Sequence, residues 1–122
     1  MHIDSQFDSG NIEVIEIFDG ACATLRIRKD AGDEHMQWFY FRVDGARGQD
    51  CTLRIINAGE ASYPKAWDGY RVCTSLDRKT WTRVETSYQD GCLTICHRPE
   101  GQMQWYAYFA PHTHEQHLDL LN

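Results

Sequence analysis

The chain of 122 residues is 42 % hydrophobic and 25 % charged, values that fit one ordinary globular domain. Its formal net charge of −6 argues against nucleic-acid binding, because proteins of that class usually carry a basic surface. No apolar run reaches the length of a membrane-spanning helix, and the first residues lack the basic and apolar regions of a signal peptide. We therefore expect a cytoplasmic protein without a membrane or nucleic-acid partner.

The number of cysteines is odd, which fits reduced thiols better than a disulfide framework. They are Cys22, Cys51, Cys73, Cys92 and Cys96. The last two look like a pair, but four residues along one strand span about 13 Å. A disulfide requires Cα atoms within about 7 Å, so we expect free thiols that are either small apolar residues or surface residues.

Short segments of alternating hydrophobicity, separated by turn formers, follow one another along the chain. Predicted strands cover 11–18, 23–28, 37–43, a segment that begins at Cys51, 70–76, 81–84, 92–96 and 104–110. Asp19-Gly20 predicts a turn, and Asp90-Gly91 predicts a hairpin. This spacing predicts an all-β fold, an antiparallel and jelly-roll-like β-sandwich of about eight strands, with residues 1–122 forming a single domain. The C-terminal tail is the one plausible start of a helix.

The segment 51–71 contains the longest predicted loop. Leu53 and Ile55 alternate with polar residues as in a half-buried strand, and turn formers interrupt this pattern from Asn57 onwards. Tyr63 and Trp67 are too large and too apolar for a merely solvated loop. Such a loop either folds back over the sheet or presents its rings to a ligand or partner, and the sequence leaves both alternatives open.

Arginine and aromatic residues recur on strand faces that are predicted to point outwards. Arg42, for example, shares its face with Trp38 and Tyr40. The pattern fits a solvated face with ion pairs to nearby acids, but it also fits an interface, because Arg, Tyr and Trp are enriched where proteins contact each other. The suspected interface or binding residues are Trp38, Tyr40, Arg42, Arg54, Tyr63, Trp67, Tyr70 and Arg71.

Histidines of the C-terminal tail form a metal-like cluster. They are His112, His114 and His117, with Glu115 among them. Zinc requires three or four preorganised ligands, and a terminal tail holds its side chains poorly, so these residues are weak candidates and we expect no metal and no cofactor in this chain. The sequence also lacks the motifs of serine hydrolases, phosphate-binding loops, dinucleotide-binding folds and redox C-x-x-C sites, so no catalytic residue is predicted.

Five segments of the chain carry a recognisable pattern, at 7–14, 25–32, 37–48, 53–72 and 105–117. The most specific parts are N-A-G-x-A-S-Y at 57–63, W-x-G-Y-R at 67–71 and Y-A-Y-F-A-P at 106–111. In this order along the chain, the segments resemble the N-terminal domain of cytosolic carboxypeptidases, which are zinc peptidases of the carboxypeptidase A type. The resemblance includes nearly the whole chain.

This resemblance implies a β-sandwich that precedes a catalytic α/β domain and carries no catalytic residue itself. Zinc is expected in that catalytic domain, which is missing from this chain, held by an H-x-x-E pair and a later histidine. His112 and Glu115 match the H-x-x-E spacing in the sequence. The family's Pro-Gly between these two residues is missing, however, which argues against a functional zinc-binding pair. The implied function is an accessory domain of a hydrolase that acts in proteolysis by removing C-terminal residues.

The implied partner is the C-terminal catalytic domain of the same polypeptide, and an interface left uncovered would favour self-association. The residues themselves leave one alternative open, a carbohydrate- or peptide-binding β-sandwich that uses Tyr63 and Trp67. In that case the two rings would line a preformed concave site.

Overall fold

A computed structural model describes residues 1–7, 10–28, 38–61 and 67–110 of the chain. The strands in these ranges are, in chain order, β1 (His2–Asp4), β2 (Glu13–Phe18), β3 (Cys22–Arg26), β4 (Tyr40–Asp44), β5 (Cys51–Ile55), β6 (Cys73–Ser75), β7 (Thr82–Arg83), β8 (Thr86–Gln89), β9 (Cys92–His97) and β10 (Met103–Ala107). A 3₁₀ turn, Ala58–Glu60, follows β5. None of the described residues form a helix that is long and apolar enough to cross a membrane.

The ten strands form two sheets of five. Sheet 1 has the spatial order β1-β4-β10-β6-β7, and sheet 2 has the order β2-β3-β5-β9-β8. β3 and β5 are parallel, whereas the other described pairs are antiparallel. A parallel pair requires a crossover connection, and here the chain between β3 and β5 passes through β4 of the opposite sheet.

The inner faces of the two sheets form one hydrophobic core, because successive strand residues alternate between the two sides of a sheet. In β4, Phe41 and Val43 belong to the core, whereas Tyr40, Arg42 and Asp44 lie on the outer face of sheet 1. The fully buried residues of the interior strands of sheet 2 include Ala23, Leu25, Leu53, Ile55, Leu93 and Ile95.

Two Asp-Gly pairs form tight turns between antiparallel strands. Asp19 and Gly20 connect β2 to β3 with φ of 52° and 73°, and Asp90 and Gly91 connect β8 to β9 with φ of 54° and 78°. Positive φ at both positions is what a type I′ turn requires, and Asp followed by Gly adopts it at low cost. The turn and the hairpin predicted at these pairs are confirmed.

The predicted β-sandwich is confirmed, with two strands more than the expected eight. The sequence does not predict β1 or β8, because β1 is too short to show alternation and β8 is mostly polar. The parallel β3–β5 pair departs from the antiparallel expectation, since hydrophobic periodicity carries no information on strand direction. The strands predicted at 70–76 and 81–84 are shorter than expected, and the C-terminal tail lies outside the described residues.

All five cysteines are free, as expected. Cys92 and Cys96 lie on the same strand, β9, where they cannot form a disulfide. Cys51 and Cys73 are buried, and burial raises the pKa of both thiols. Buried thiols with raised pKa values are poor nucleophiles near neutral pH, so these two cysteines serve as small core residues.

Candidate functional site

One end of the outer face of sheet 1 carries a cluster of aromatic rings. Trp38 contacts Tyr40 and Phe109 edge-on, with ring centroids 5.8 and 4.9 Å apart. Phe7 and Trp81 cover Tyr40 from other sides, at 4.9 and 5.9 Å. Tyr40 is fully buried as a result, although its strand position faces outwards. We call Phe7, Trp38, Tyr40, Trp81 and Phe109 the aromatic cluster.

Arg78 fixes the aromatic cluster from the turn that joins β6 to β7. Its Nε donates a hydrogen bond of 2.7 Å to the hydroxyl of Tyr40, and its guanidinium carbon lies 5.6 Å from the centroid of that ring. Asp77 shapes the turn by accepting hydrogen bonds from the backbone N–H groups of Thr80 and Lys79, at 2.9 and 2.8 Å. These hydrogen bonds lower the pKa of Asp77, because they stabilise its ionised form.

Sequence reasoning identified Trp38 and Tyr40 as interface candidates but did not connect them with Phe7, Arg78, Trp81 and Phe109. These four residues come from three distant segments of the chain. No local pattern connects them, because the fold alone brings the N-terminus, the β6–β7 turn and the end of β10 together. The signal that sequence does contain is the unusual density of aromatic residues around β4 and β10.

Arg42 is held by carboxylates of its own domain. Its Nε and Nη2 donate to the two carboxylate oxygens of Asp44 at 2.8 and 3.0 Å, and Asp4 lies 3.7 Å away. This bidentate pair raises the pKa of Arg42 and fixes the guanidinium on the outer face of sheet 1. Because its charge is already compensated, Arg42 offers a docking partner mainly a flat contact surface rather than a free cation.

Trp67 lies in the core, not on the surface. Its side chain is 1 % exposed, and its Nε1 donates a hydrogen bond of 2.8 Å to the carbonyl oxygen of Ala58. Its ring packs against Tyr70 and Tyr108, with centroids 5.3 Å apart in each case. Of the two alternatives for the long loop, folding back over the sheet is therefore the one realised at Trp67. Its ring is not available to a ligand, and Tyr63 lies outside the described residues.

The N-A-G part of the loop motif has a structural role at each position. Asn57 accepts a hydrogen bond from the backbone N–H of Ile27 at 2.8 Å and donates one to its carbonyl oxygen at 2.9 Å. Ala58 is fully buried and provides the carbonyl partner of Trp67. Gly59 approaches the Asp90-Gly91 turn so closely that a Cβ atom would lie 2.7 Å from the Cα of Gly91.

The remaining suspected residues do not share one surface. Tyr70 is half-buried beside the core and donates its hydroxyl hydrogen to the carbonyl oxygen of Tyr108, and burial raises the pKa of Tyr70. Arg71 is exposed and lies two residues before β6. Arg54 is also exposed, but it lies on the outer face of sheet 2, on the opposite side of the sandwich from Arg42. Trp38 and Arg42 therefore lie on one side of the sandwich, and Arg54 lies on the other.

A polar pocket of about 250 Å³ lies beside the turn that joins β6 to β7, and its lining includes Asp77, His97 and Gln104. The carboxamide of Gln104 donates to the hydroxyl of Thr74 at 2.7 Å, and His97 Nδ1 lies 2.8 Å from the hydroxyl of Tyr106. The His97–Tyr106 hydrogen bond connects β9 of sheet 2 with β10 of sheet 1, whereas the Gln104–Thr74 hydrogen bond lies within sheet 1. The polar groups of this region are thus paired with one another within the fold.

His97 makes the domain sensitive to acid. Its burial lowers its pKa below the ordinary value of 6.5, so the folded state keeps the imidazole neutral while the unfolded chain binds a proton. The free energy of unfolding is therefore expected to fall as pH drops through about 6.5 and to continue falling down to the pKa of the folded state. Urea unfolding at pH 7.5 and 5.5 measures this loss, and His97→Asn should show a smaller pH dependence. An unchanged pH dependence in the variant would contradict the assignment.

Metal-binding groups do not converge in the parts of the chain that the structure describes: no three His, Cys, Asp or Glu side chains there form a potential metal site. The weak candidates His112, His114 and His117 lie outside the described residues.

Comparison with known proteins identifies the family. Residues 3–109 match the family described as the cytosolic carboxypeptidase N-terminal domain. The chain belongs to this family. The family match therefore confirms the resemblance seen in the sequence segments, and the fold agrees with it. An uncharacterized protein of Zymomonas mobilis is 43 % identical over 121 residues, which cover 99 % of the chain and 32 % of that protein.

Two solved metallo-carboxypeptidases contain a domain of the same structure. The protein from Burkholderia cenocepacia is 41 % identical with a TM-score of 0.92, and the match covers 98 % of this chain and 31 % of that protein. The protein from Pseudomonas aeruginosa, solved in complex with (2-guanidinoethylmercapto)succinic acid, is 38 % identical with a TM-score of 0.90, and the match covers 99 % and 32 %. The chain thus spans about a third of the length of these relatives.

Proposed function

We propose that the chain is the non-catalytic accessory domain of a zinc metallocarboxypeptidase, a cytoplasmic hydrolase that removes C-terminal residues from peptides or proteins. The observation that carries the proposal is the extent of the match, since nearly all of this chain aligns with about a third of two metallo-carboxypeptidases. The remaining two-thirds of such a protein would supply the catalytic residues and would bind the zinc. The role of this domain is then to dock onto the catalytic domain and to support it.

The aromatic cluster supports this docking role. Phe109 is 53 % exposed and contacts Trp38, so a pair of large rings lies at the surface. Exposed aromatic pairs are typical anchors of protein interfaces, because covering them removes apolar area from water. The chain leaves sheet 1 at this point, since Phe109 follows β10 directly. The last described residue, Ala110, therefore follows a member of the aromatic cluster, and any further polypeptide continues from there.

A binding experiment with separate halves tests the proposal. The reading frame beyond Asn122 is expected to encode an α/β domain, which is produced separately and mixed with this chain. We expect the two halves to associate and the mixture to release C-terminal residues from peptides faster than the catalytic half does by itself. A frame that ends at Asn122, or halves that neither associate nor affect activity, would contradict the proposed function.

Phe109→Ser is expected to weaken this association about tenfold, because truncating one aromatic anchor costs roughly 1–2 kcal/mol of binding free energy. Ile56→Ser is the matched control, since Ile56 is 38 % exposed but follows β5 of sheet 2, away from the aromatic cluster. Dissociation constants from isothermal titration calorimetry measure both effects. Equal weakening by the two variants would show that the aromatic cluster is not the docking surface.

A further inference from the structure

Strand β2 is an unusual edge strand. It pairs with β3 on one side, and no strand of the described residues pairs with it on the other. Its large apolar side chains are 37–49 % exposed, and they make up half of the exposed large hydrophobic residues that the described ranges contain. They are Val14, Ile15, Ile17 and Phe18. An edge strand of this length and apolarity presents unpaired backbone groups together with exposed apolar side chains.

The register with β3 shows what is left uncovered. Val14 pairs with Leu25 and Ile17 pairs with Ala23, and both partners are fully buried in the core. Val14 and Ile17 therefore extend the inner layer of sheet 2, yet more than a third of each side chain remains exposed. The register shifts between Val14 and Glu16, so Ile15 bulges out of the ladder. The core layer is thus open along this edge.

A cleft continues the open edge towards sheet 1. It has a volume of about 220 Å³ and lies between the β1 segment and the start of β2. Ile3, Ile12 and Val14 provide apolar walls, and Asp4 and Arg28 provide charged groups at its rim. An extended segment placed beside β2 would cover this cleft together with Val14 and Ile17.

The other edge strands are protected in the usual ways. β1 and β7 are only three and two residues long, and β8 has the mostly polar sequence TSYQ. Short length and polar side chains are common devices against edge-to-edge pairing. β2 has six residues, and its two acids, Glu13 and Glu16, give it little protection. The difference indicates that β2 is normally covered.

We propose that the open edge of β2 receives an extended segment of the polypeptide that follows this domain, which adds a sixth strand to sheet 2. The inference rests on the proposed function, because it requires a longer chain. Position supports this occupant. The ring of Phe109, where the chain leaves the sandwich, contacts Trp38, and the carbonyl oxygen of Trp38 accepts a hydrogen bond of 2.8 Å from Asn11, two residues before β2. Two contacts of Trp38 therefore connect the end of the described chain with the segment that precedes β2.

Size also favours a tethered occupant over a separate protein. Stable complexes between free proteins bury about 1,200–2,000 Å², which is more than a single six-residue strand provides. A tethered segment acts at an effective concentration of about millimolar, so a small contact is sufficient. Exposed Glu16 on β2 further predicts a basic residue at the facing position of the incoming strand, because opposite charges across strands stabilise the pair.

Hydrogen–deuterium exchange tests strand addition, with the peptide that covers β2 as the readout. The 122-residue chain is compared with the polypeptide extended through its catalytic domain. We expect the amide hydrogens of β2 to exchange at least tenfold more slowly in the extended polypeptide. Ile15→Lys in the extended polypeptide should remove most of this protection, because a charge at the bulge opposes an apolar strand. Leu76→Lys should leave it unchanged, since Leu76 has nearly the same exposure away from β2.

The outcomes separate the possible occupants. If Ile15→Lys impairs folding, Phe18→Lys on the same strand replaces it as the test variant. Equal exchange of β2 in both polypeptides, while the two halves still associate, overturns strand addition and leaves the docking role intact. Protection that appears in the 122-residue chain and grows with its concentration assigns the edge to a second copy and also overturns the proposal. Halves that fail to associate overturn both the docking role and this inference.

Discussion

Replacing Trp67 by alanine is expected to destabilise the domain by about 3–5 kcal/mol, which is a large part of the stability of a typical domain. The substitution removes the largest fully buried side chain of the described residues and opens a cavity between Tyr70 and Tyr108. It also removes one of the two hydrogen bonds that the carbonyl oxygen of Ala58 accepts, the other being donated by the N–H of Ala61. Urea unfolding followed by far-ultraviolet circular dichroism measures the loss without depending on tryptophan fluorescence.

Two controls separate packing from the hydrogen bond and from general effects at the loop. Trp67→Phe keeps an aromatic ring in the core but loses the donor, so we expect a loss clearly smaller than that of Trp67→Ala. Asp68→Ala changes the exposed neighbour and should alter the free energy of unfolding by less than about 0.5 kcal/mol. A loss below about 1 kcal/mol for Trp67→Ala would show that Trp67 is not a core residue in solution.

Asn57→Ala is expected to destabilise the domain by about 2–5 kcal/mol, although it removes only one small polar group. Asn57 is 3 % exposed and satisfies both backbone groups of Ile27. The backbone ladder between β3 and β5 continues to the hydrogen bond from the N–H of Ile56 to the carbonyl oxygen of Leu25, at 2.9 Å. The side chain of Asn57 then takes the place of the next peptide group. Without it, a buried donor and a buried acceptor remain unpaired, each at a cost of about 1–3 kcal/mol.

Asn57→Asp provides the diagnostic control, because it keeps the size of the side chain. Its carboxylate still accepts from the N–H of Ile27 but faces the carbonyl oxygen of the same residue, which repels it. Burial and this repulsion should raise the pKa of the new carboxyl group in the folded state, so the protonated form is favoured there. The variant is therefore expected to regain stability, relative to the parent chain, as pH falls from 7 towards 4. Equal destabilisation at both pH values would contradict the ladder role.

Much of the fold could be predicted from the sequence because the strands alternate clearly. Phe41 and Val43 in β4, or Leu53 and Ile55 in β5, define an inner face without reference to any other segment. Strand direction and pairing could not be predicted in the same way. The parallel ladder of β3 and β5 depends on which strands become neighbours, and alternation looks the same in either direction.

The candidate surface was harder to predict, because a sandwich has two outer faces. Alternation correctly places both Arg42 and Arg54 away from the core, but it does not show that they lie on opposite sides of the molecule. It also predicts that Tyr40 is exposed, whereas rings from distant segments bury it. For Trp67 the sequence allows both a buried and a ligand-facing ring. The buried position depends on a hydrogen bond to the carbonyl oxygen of Ala58, which only the folded loop brings within reach.

The position of β10 has a consequence for how the protein is made. This strand lies between β4 and β6, so before Met103 is synthesised sheet 1 consists of two small fragments that do not touch. Two-stranded fragments are only marginally stable in water. At about 5–20 residues per second, the first strands remain without β10 for roughly 5–20 s of synthesis. Nascent chains of this domain therefore expose an incomplete sheet 1 to chaperones until β10 has been synthesised.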